Sequence, residues 1–244
     1  MNREHMINQY DTNINVNNYS ADEVASIQQA FITKTFMWMG VALALTGLIS
    51  WLTINSETLI ELVFSSRLVF FGILIAEVGI VIYLSSAIQR MSAQSALGWF
   101  LFYSALNGIT LSLLFMIYTA ASVTSAFMVT ALTFAGMAMY GYTTKRDLTT
   151  IGSLAFMGLI GIIIASVINI FFFSETLYWI ISYVGVLIFV GLTAYDTQKL
   201  KEMSLQLDQN EEIQQKAAIM GALRLYLDFI NLFIMLLRIM GRRN

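Results

Sequence analysis

Residues 153–173 read SLAFMGLIGIIIASVINIFFF, twenty-one consecutive positions without one charged side chain. A helix rising about 1.5 Å per residue needs about 20 apolar residues to cross about 30 Å of hydrocarbon. Six further stretches share this character, at 36–54, 68–88, 97–118, 123–142, 177–198 and 219–238. Short polar breaks separate them: Asn55-Ser56-Glu57, 89–92, 143–147 and 174–176, with only a weak signal at 119–122. One connection is long, 199–218, and carries Lys199, Lys201, Glu202, Asp208, Glu211, Glu212 and Lys216. No stretch has room for a second, soluble domain. The expected architecture is all-α, a polytopic bundle of seven transmembrane helices over 36–244 behind a polar tail at 1–35.

Composition agrees. Of 244 residues, 58% are hydrophobic and 11% charged, with a net charge of −2. A soluble domain carries about 25% charged residues, and one of this size could not hide so much apolar surface. A soluble globule, a disordered chain and a nucleic-acid binder are excluded. The absence of Cys removes disulfides, thiol nucleophiles and thiolate metal sites. A lone histidine, His5, removes a multi-histidine metal centre and argues against a Ser-His-Asp triad. With no Pro, no helix is kinked by the commonest route.

The tail at 1–35 has no apolar run of signal-peptide type, and Glu4, Asp11, Asp22 and Glu23 argue against a mitochondrial presequence. A solvated tail is expected, with Ser20 a candidate N-cap for a helix entering the membrane from Ala21. Seven spans place Arg3, Lys34, Arg90, Lys145, Arg146, Lys199, Lys201 and Lys216, eight in all, on the side of the N-terminus. Arg67, Arg238, Arg242 and Arg243, four, fall opposite. The loops therefore favour a cytoplasmic N-terminus. The basic C-terminus dissents, and a last segment that dips in and returns would remove the conflict, although its apolar length suits a full crossing. Small residues at helical spacing, Gly40 with Ala44, Ala131 with Ala135, and Gly161 with Ala165, read as close-packing positions. Trp38, Trp51, Trp99 and Trp179 lie near span ends, as aromatic belts do.

The spans hold few ionisable groups: Glu77, Asp196, Arg224 and Asp228, with Arg90 and Arg238 at edges. Each costs about 2.5–3.5 kcal/mol near a helix centre and needs a partner, a cavity or a proton. Arg224 and Asp228 are four apart on one helix face, with Asn231 one turn beyond. Asp196, Asp228 and Arg90 all fall toward the N-terminal side of the bundle. If the two aspartates meet, both cannot stay ionised cheaply, and they titrate as one unit sharing a proton. An arginine would instead favour the ionised form, and two carboxylates also offer oxygens to a transient Ca²⁺. A pH-selected switch and a static ion-pair knot joining three helices both fit these charges.

The segments around the aspartates are GLTAYDTQKLK (191–201) and ALRLYLDFINLFIMLLR (222–238). With ALNGITLS (105–112), and the second span with Glu77 inside it and Arg90-Met-Ser at its end, they resemble the Bax inhibitor-1 family, the transmembrane Bax inhibitor motif proteins, over nearly everything after residue 30. The resemblance implies a bacterial member with a seven-helix fold and a pH-sensitive Ca²⁺ leak. Asp196 and Asp228 would be the proton sensor and gate, and Arg90 the latch. Glu77, Arg224 and Asn231 would be supporting or pore-lining residues. It further implies a link to a membrane-bound ATP-dependent protease, and relatives in eukaryotes that restrain cell death. The long connection at 199–218 and the polar tail depart from the family pattern without touching the aspartates.

The expected partners are the lipid bilayer, calcium and protons, and the protease, with no nucleic acid, no cofactor and calcium only as the transported ion. The expected location is a bacterial plasma (inner) membrane. A regulator that modulates the protease without transport is the alternative function. An intramembrane aspartyl protease is disfavoured, because Asp228 sits in Tyr-Leu-Asp-Phe and not in Gly-x-Gly-Asp. A retinal protein fails for want of a lysine inside the last span.

Overall fold

The computed structural model describes residues 20–207 and 210–244. Within them the chain forms α1 (Ala21–Ile54), α2 (Glu57–Phe64), α3 (Arg67–Ala87), α4 (Ala93–Ile117), α5 (Ala120–Thr143), α6 (Thr149–Phe172), α7 (Glu175–Ser204) and α8 (Glu211–Met240). All but the short α2 are long and apolar enough to cross a membrane. The polytopic all-α bundle expected from the apolar stretches is what the chain builds.

Two polar segments are helical: the end of the tail, where a helix from Ala21 capped by Ser20 was expected, and most of 199–218, where a loop was expected. Ser20 caps α1 in a reciprocal box with Glu23: the Ser20 hydroxyl accepts from the Glu23 amide at 3.3 Å, and the Ser20 amide donates to Glu23 Oε2 at 2.7 Å. Residues 21–35 are thus the first turns of α1, and residues 1–19 of the tail lie outside the described part. The connection at 199–218 shrinks to a link between Ser204 and Glu211, because α7 runs on to Ser204 and Asn210 caps α8. Lys199, Lys201, Glu202, Glu211, Glu212 and Lys216, which made this stretch look like loop, lie on α7 and α8 beyond the apolar runs, as in the Lys199–Glu202 pair at 2.7 Å.

Helix α8 is the axis. It packs against α1, α4, α5 and α7, whereas α3 packs on α4 and α6 packs on α7. No packing of α3 on α6 closes the ring among the described residues. Buried threonines 35, 46, 53, 130, 193 and 197 donate to carbonyls of their own helices, which satisfies their hydroxyls without a functional role. Thr46 also donates to the Ser104 carbonyl at 2.8 Å and meets the Tyr226 hydroxyl at 2.7 Å, tying α1, α4 and α8 together.

The closest backbone approaches use glycines other than those expected. Gly40 and Gly161 have open space where a Cβ would stand, and they face outward with Ala44 and Ala135. Gly141 lies against the Ala194 carbonyl of α7, Gly108 against α1, and Gly152 against the Tyr195 ring. Small residues recur at helical spacing in any Gly- and Ala-rich apolar helix, so spacing alone does not select the packed face.

The last helix crosses the whole bundle. Beyond Met240 the chain pairs with the α4–α5 connection: Thr119 N donates to the Arg242 carbonyl at 3.1 Å, and Asn244 N to the Ile117 carbonyl at 3.0 Å. That connection lies on the face opposite the N-terminal end, so Arg238, Arg242 and Arg243 share that face with Arg67. Arg238 lies over the Tyr178 ring at 5.4 Å, and the hydroxyls of Tyr118 and Tyr178 stand 3.4 Å apart.

Candidate functional site

Four consecutive residues of α7 do four different things. Tyr195 lays its ring on Gly152 of α6, where no larger residue would fit. Asp196 turns to α8. Thr197 bonds back to the Thr193 carbonyl at 2.7 Å. Gln198 clamps the α5–α6 connection, accepting from Leu148 N at 2.8 Å and donating to the Arg146 carbonyl at 2.8 Å. Lys201 adds a bond to the Tyr142 carbonyl at 2.8 Å. The register of α7 against α5 and α6 is therefore locked on both sides of Asp196.

Asp196 and Asp228 are buried, 6% and 5% exposed, with their carboxyl groups in side-chain hydrogen-bonding reach of one another. Arg224 Nη1 lies 3.5 Å from Asp196 Oδ1, while the Arg224 side chain is 57% exposed. The arginine one turn before Asp228 thus pairs across the helix interface and not along its own helix. Asp228 Oδ2 is buried with no hydrogen-bond partner among the described residues. A half-exposed guanidinium offsets little of the cost of two adjacent buried carboxylates. The pair is satisfied by a proton shared between its carboxyls, or by a cationic group arriving from outside.

Such a group has somewhere to arrive. A cavity of about 800 Å³ runs from Thr149, Tyr195 and Arg224 near the N-terminal face to Glu77, Asn231 and Ile163 at mid-depth, with Asp196 and Asp228 in its wall. Glu77 on α3 is buried and accepts from the Thr110 hydroxyl at 2.9 Å. Tyr103 lines the same wall and accepts from Asn107 Nδ2 at 3.2 Å. Asn231 faces the cavity, and its amide donates to the Leu227 carbonyl at 2.7 Å. Further out, Ile162, Ile181, Ile188, Leu232 and Met235 pack α6, α7 and α8 together.

Arg90 stands apart. Helix α3 ends at Ala87, and Arg90 is exposed in the turn beyond it. It does not line the cavity, and among the described residues its side chain makes no ion pair. The arginine beside the pair is Arg224. Reasoning from sequence also missed Tyr103, Gly152 and Tyr195 as site-builders; only the polar group at 103, inside a span, and the small residue at 152, just before one, hinted at them. No cluster of three or more His, Cys, Asp or Glu side chains suited to a metal occurs among the described residues. Ca²⁺ takes 6–8 oxygens, so water and neutral oxygens would have to complete its shell around two carboxylates.

A family model described as inhibitor of apoptosis-promoting Bax1 matches residues 28–244. The chain is 51% identical over 217 residues to the inner membrane protein YbhL of Escherichia coli strain K12, covering 88% of this chain and 93% of that one. It is 45% identical over 218 residues to an uncharacterized protein of Borreliella burgdorferi, covering 89% and 94%. An uncharacterized membrane protein of Streptococcus pyogenes serotype M1 is 38% identical over 216 residues, covering 88% and 93%.

Proposed function

The chain belongs to the Bax inhibitor-1 family and is a multi-pass protein of a bacterial inner membrane, and from that premise we propose that it is a pH-sensitive calcium leak channel. The observation that carries this reading is the buried Asp196–Asp228 pair in the wall of a cavity that reaches the middle of the bundle. Ionised, the pair attracts a divalent cation into the cavity. Protonated, it loses that attraction and its hold on Arg224. The apolar cluster of Ile162, Ile181, Ile188 and Met235 closes the path toward the opposite face. Rearrangement of α6 or α3, each packed along one side only, opens it. Arg224 takes the role of latch, with Glu77 and Asn231 as further oxygens along the path.

The test is dye-reported Ca²⁺ flux in proteoliposomes across about pH 5 to 8. Asp196→Asn and Asp228→Asn are each expected to flatten the pH response, and Arg224→Gln to shift it, with Arg90→Gln leaving it in place. An unaltered response in both aspartate variants would reject the reading.

A regulator of a membrane-bound ATP-dependent protease is the second reading. It is favoured by the turns that α1 and α7 extend past their apolar runs on the N-terminal face, where a soluble partner can reach. Deleting residues 1–19, which leaves the Ser20 cap, separates the two. Lost protease association with intact flux would show that both roles coexist.

A further inference from the structure

The cavity opens sideways as well as toward the N-terminal face. Val78 and Ile82 on α3 line it, as do Phe156 and Ile163 on α6, yet all four are more than half exposed. Residues that both line a cavity and face outward mark a mouth, and the mouth lies where α3 and α6 fail to pack. In a bilayer this mouth meets acyl chains. Behind it stand an anion-binding guanidinium (Arg224), the Ser153 hydroxyl, and two buried carboxylates, one with an oxygen that lacks a donor.

From this we infer that the cavity binds an aminophospholipid of the leaflet on the N-terminal side, with one acyl chain lying in the α3–α6 mouth. Its primary ammonium group donates to Asp196 and Asp228, and its phosphate accepts from Arg224 and Ser153. The charge order fits one headgroup chemistry. A cation alone leaves the outward-facing donors of the 57%-exposed Arg224 without an acceptor, and an anionic headgroup without an amine leaves the buried Asp228 Oδ2 without a donor, which is costly in a low-dielectric site. A quaternary ammonium cannot donate a hydrogen bond. The inference concerns binding alone and does not require the transport reading.

Native mass spectrometry of the full chain in detergent, given equal amounts of phosphatidylethanolamine, phosphatidylcholine and phosphatidylglycerol, tests it. Phosphatidylethanolamine is expected to be retained about tenfold over the other two, the size of one charge-assisted hydrogen bond. Asp228→Asn should erase that preference, while Arg224→Gln should lower retention of all three lipids. Ile82→Trp fills the mouth from an outward-facing position, where the fold tolerates it, and should reduce retention without touching a charge. Equal retention of the three lipids, a preference for phosphatidylglycerol, or phosphatidylethanolamine retention unmoved by both Asp228→Asn and Ile82→Trp would overturn the inference and leave annular lipid only.

Discussion

Helices α6 and α8 cross the same bundle by opposite means. The most apolar 18-residue window in α6 is the most hydrophobic in the chain, and only 11% of it is buried. The corresponding window of α8 is less apolar, and 67% of it is buried. In water this order would be perverse. In lipid it follows from the solvent: a side chain facing hydrocarbon must be apolar, whereas one facing other helices is free to be small or polar provided that its partners are there. Hydropathy in such a protein measures exposure to lipid, and departures from it mark the interior. Asp228 lies where the apolar signal weakens, whereas Glu77 is a lone buried acid in the strongly apolar α3.

The contrast predicts how the two helices respond to the same change. A carboxylate moved to the lipid side gives the largest effect: Ile160→Asp, 47% exposed at the middle of α6, should cost about 3 kcal/mol and reduce membrane insertion in a translocation assay. Normal insertion would mean that this face of α6 is covered.

Truncation comes next. Leu225→Ala, fully buried on α8, should cost about 2 kcal/mol, the low end for cores because lipid and not water is the alternative environment. Leu154→Ala, 63% exposed on α6, should stay within about 0.5 kcal/mol. Reversible unfolding in mixed micelles compares them, and equal losses would break the contrast.

Within α6 itself the one packed edge can be separated from the rest. Gly152→Ala drives a methyl group into the Tyr195 ring and should cost about 1 kcal/mol while disturbing Asp196, whereas Gly161→Ala meets open space and should be neutral. The same unfolding assay, joined to the pH profile of flux, reads both.

The smallest difference lies at the helix starts. The Thr149 hydroxyl, and then its amide, donate to Asp147 at 2.6 and 2.8 Å and hold the Asp147 carboxyl below the usual carboxylate range. A lowered folded pKa stabilises above the ordinary carboxylate pKa, and the gain is lost as pH falls through the folded value. Asp147→Ala should therefore lower the melting temperature slightly at neutral pH and by progressively less in acid, as the carboxyl protonates. A deficit that persists in acid would mean that the charge is not what Asp147 contributes.

The spans were legible because an uncharged run of bilayer length has few other uses, and Ser20 because a capping box is a local pattern. The buried acids were legible as costs. The segment 199–218 was misread because polarity was taken for loop, when a helix leaving the membrane has no reason to stop at the interface. Gly40 and Gly161 were misread because periodicity marks a face without saying what lies across it.

Sequence alone determined insertion, the number of crossings and the residues that could not face lipid, since these depend on runs along one chain and the free energy of transfer into hydrocarbon. Only the tertiary structure decided that Arg224 and not Arg90 meets Asp196, that Tyr195 rests on Gly152, and that α3 and α6 leave a mouth between them. Those facts depend on how each helix is rotated about its axis and which neighbour it selects. That choice is made by shape and polar pairing across interfaces, which no single helix carries in its own order of residues.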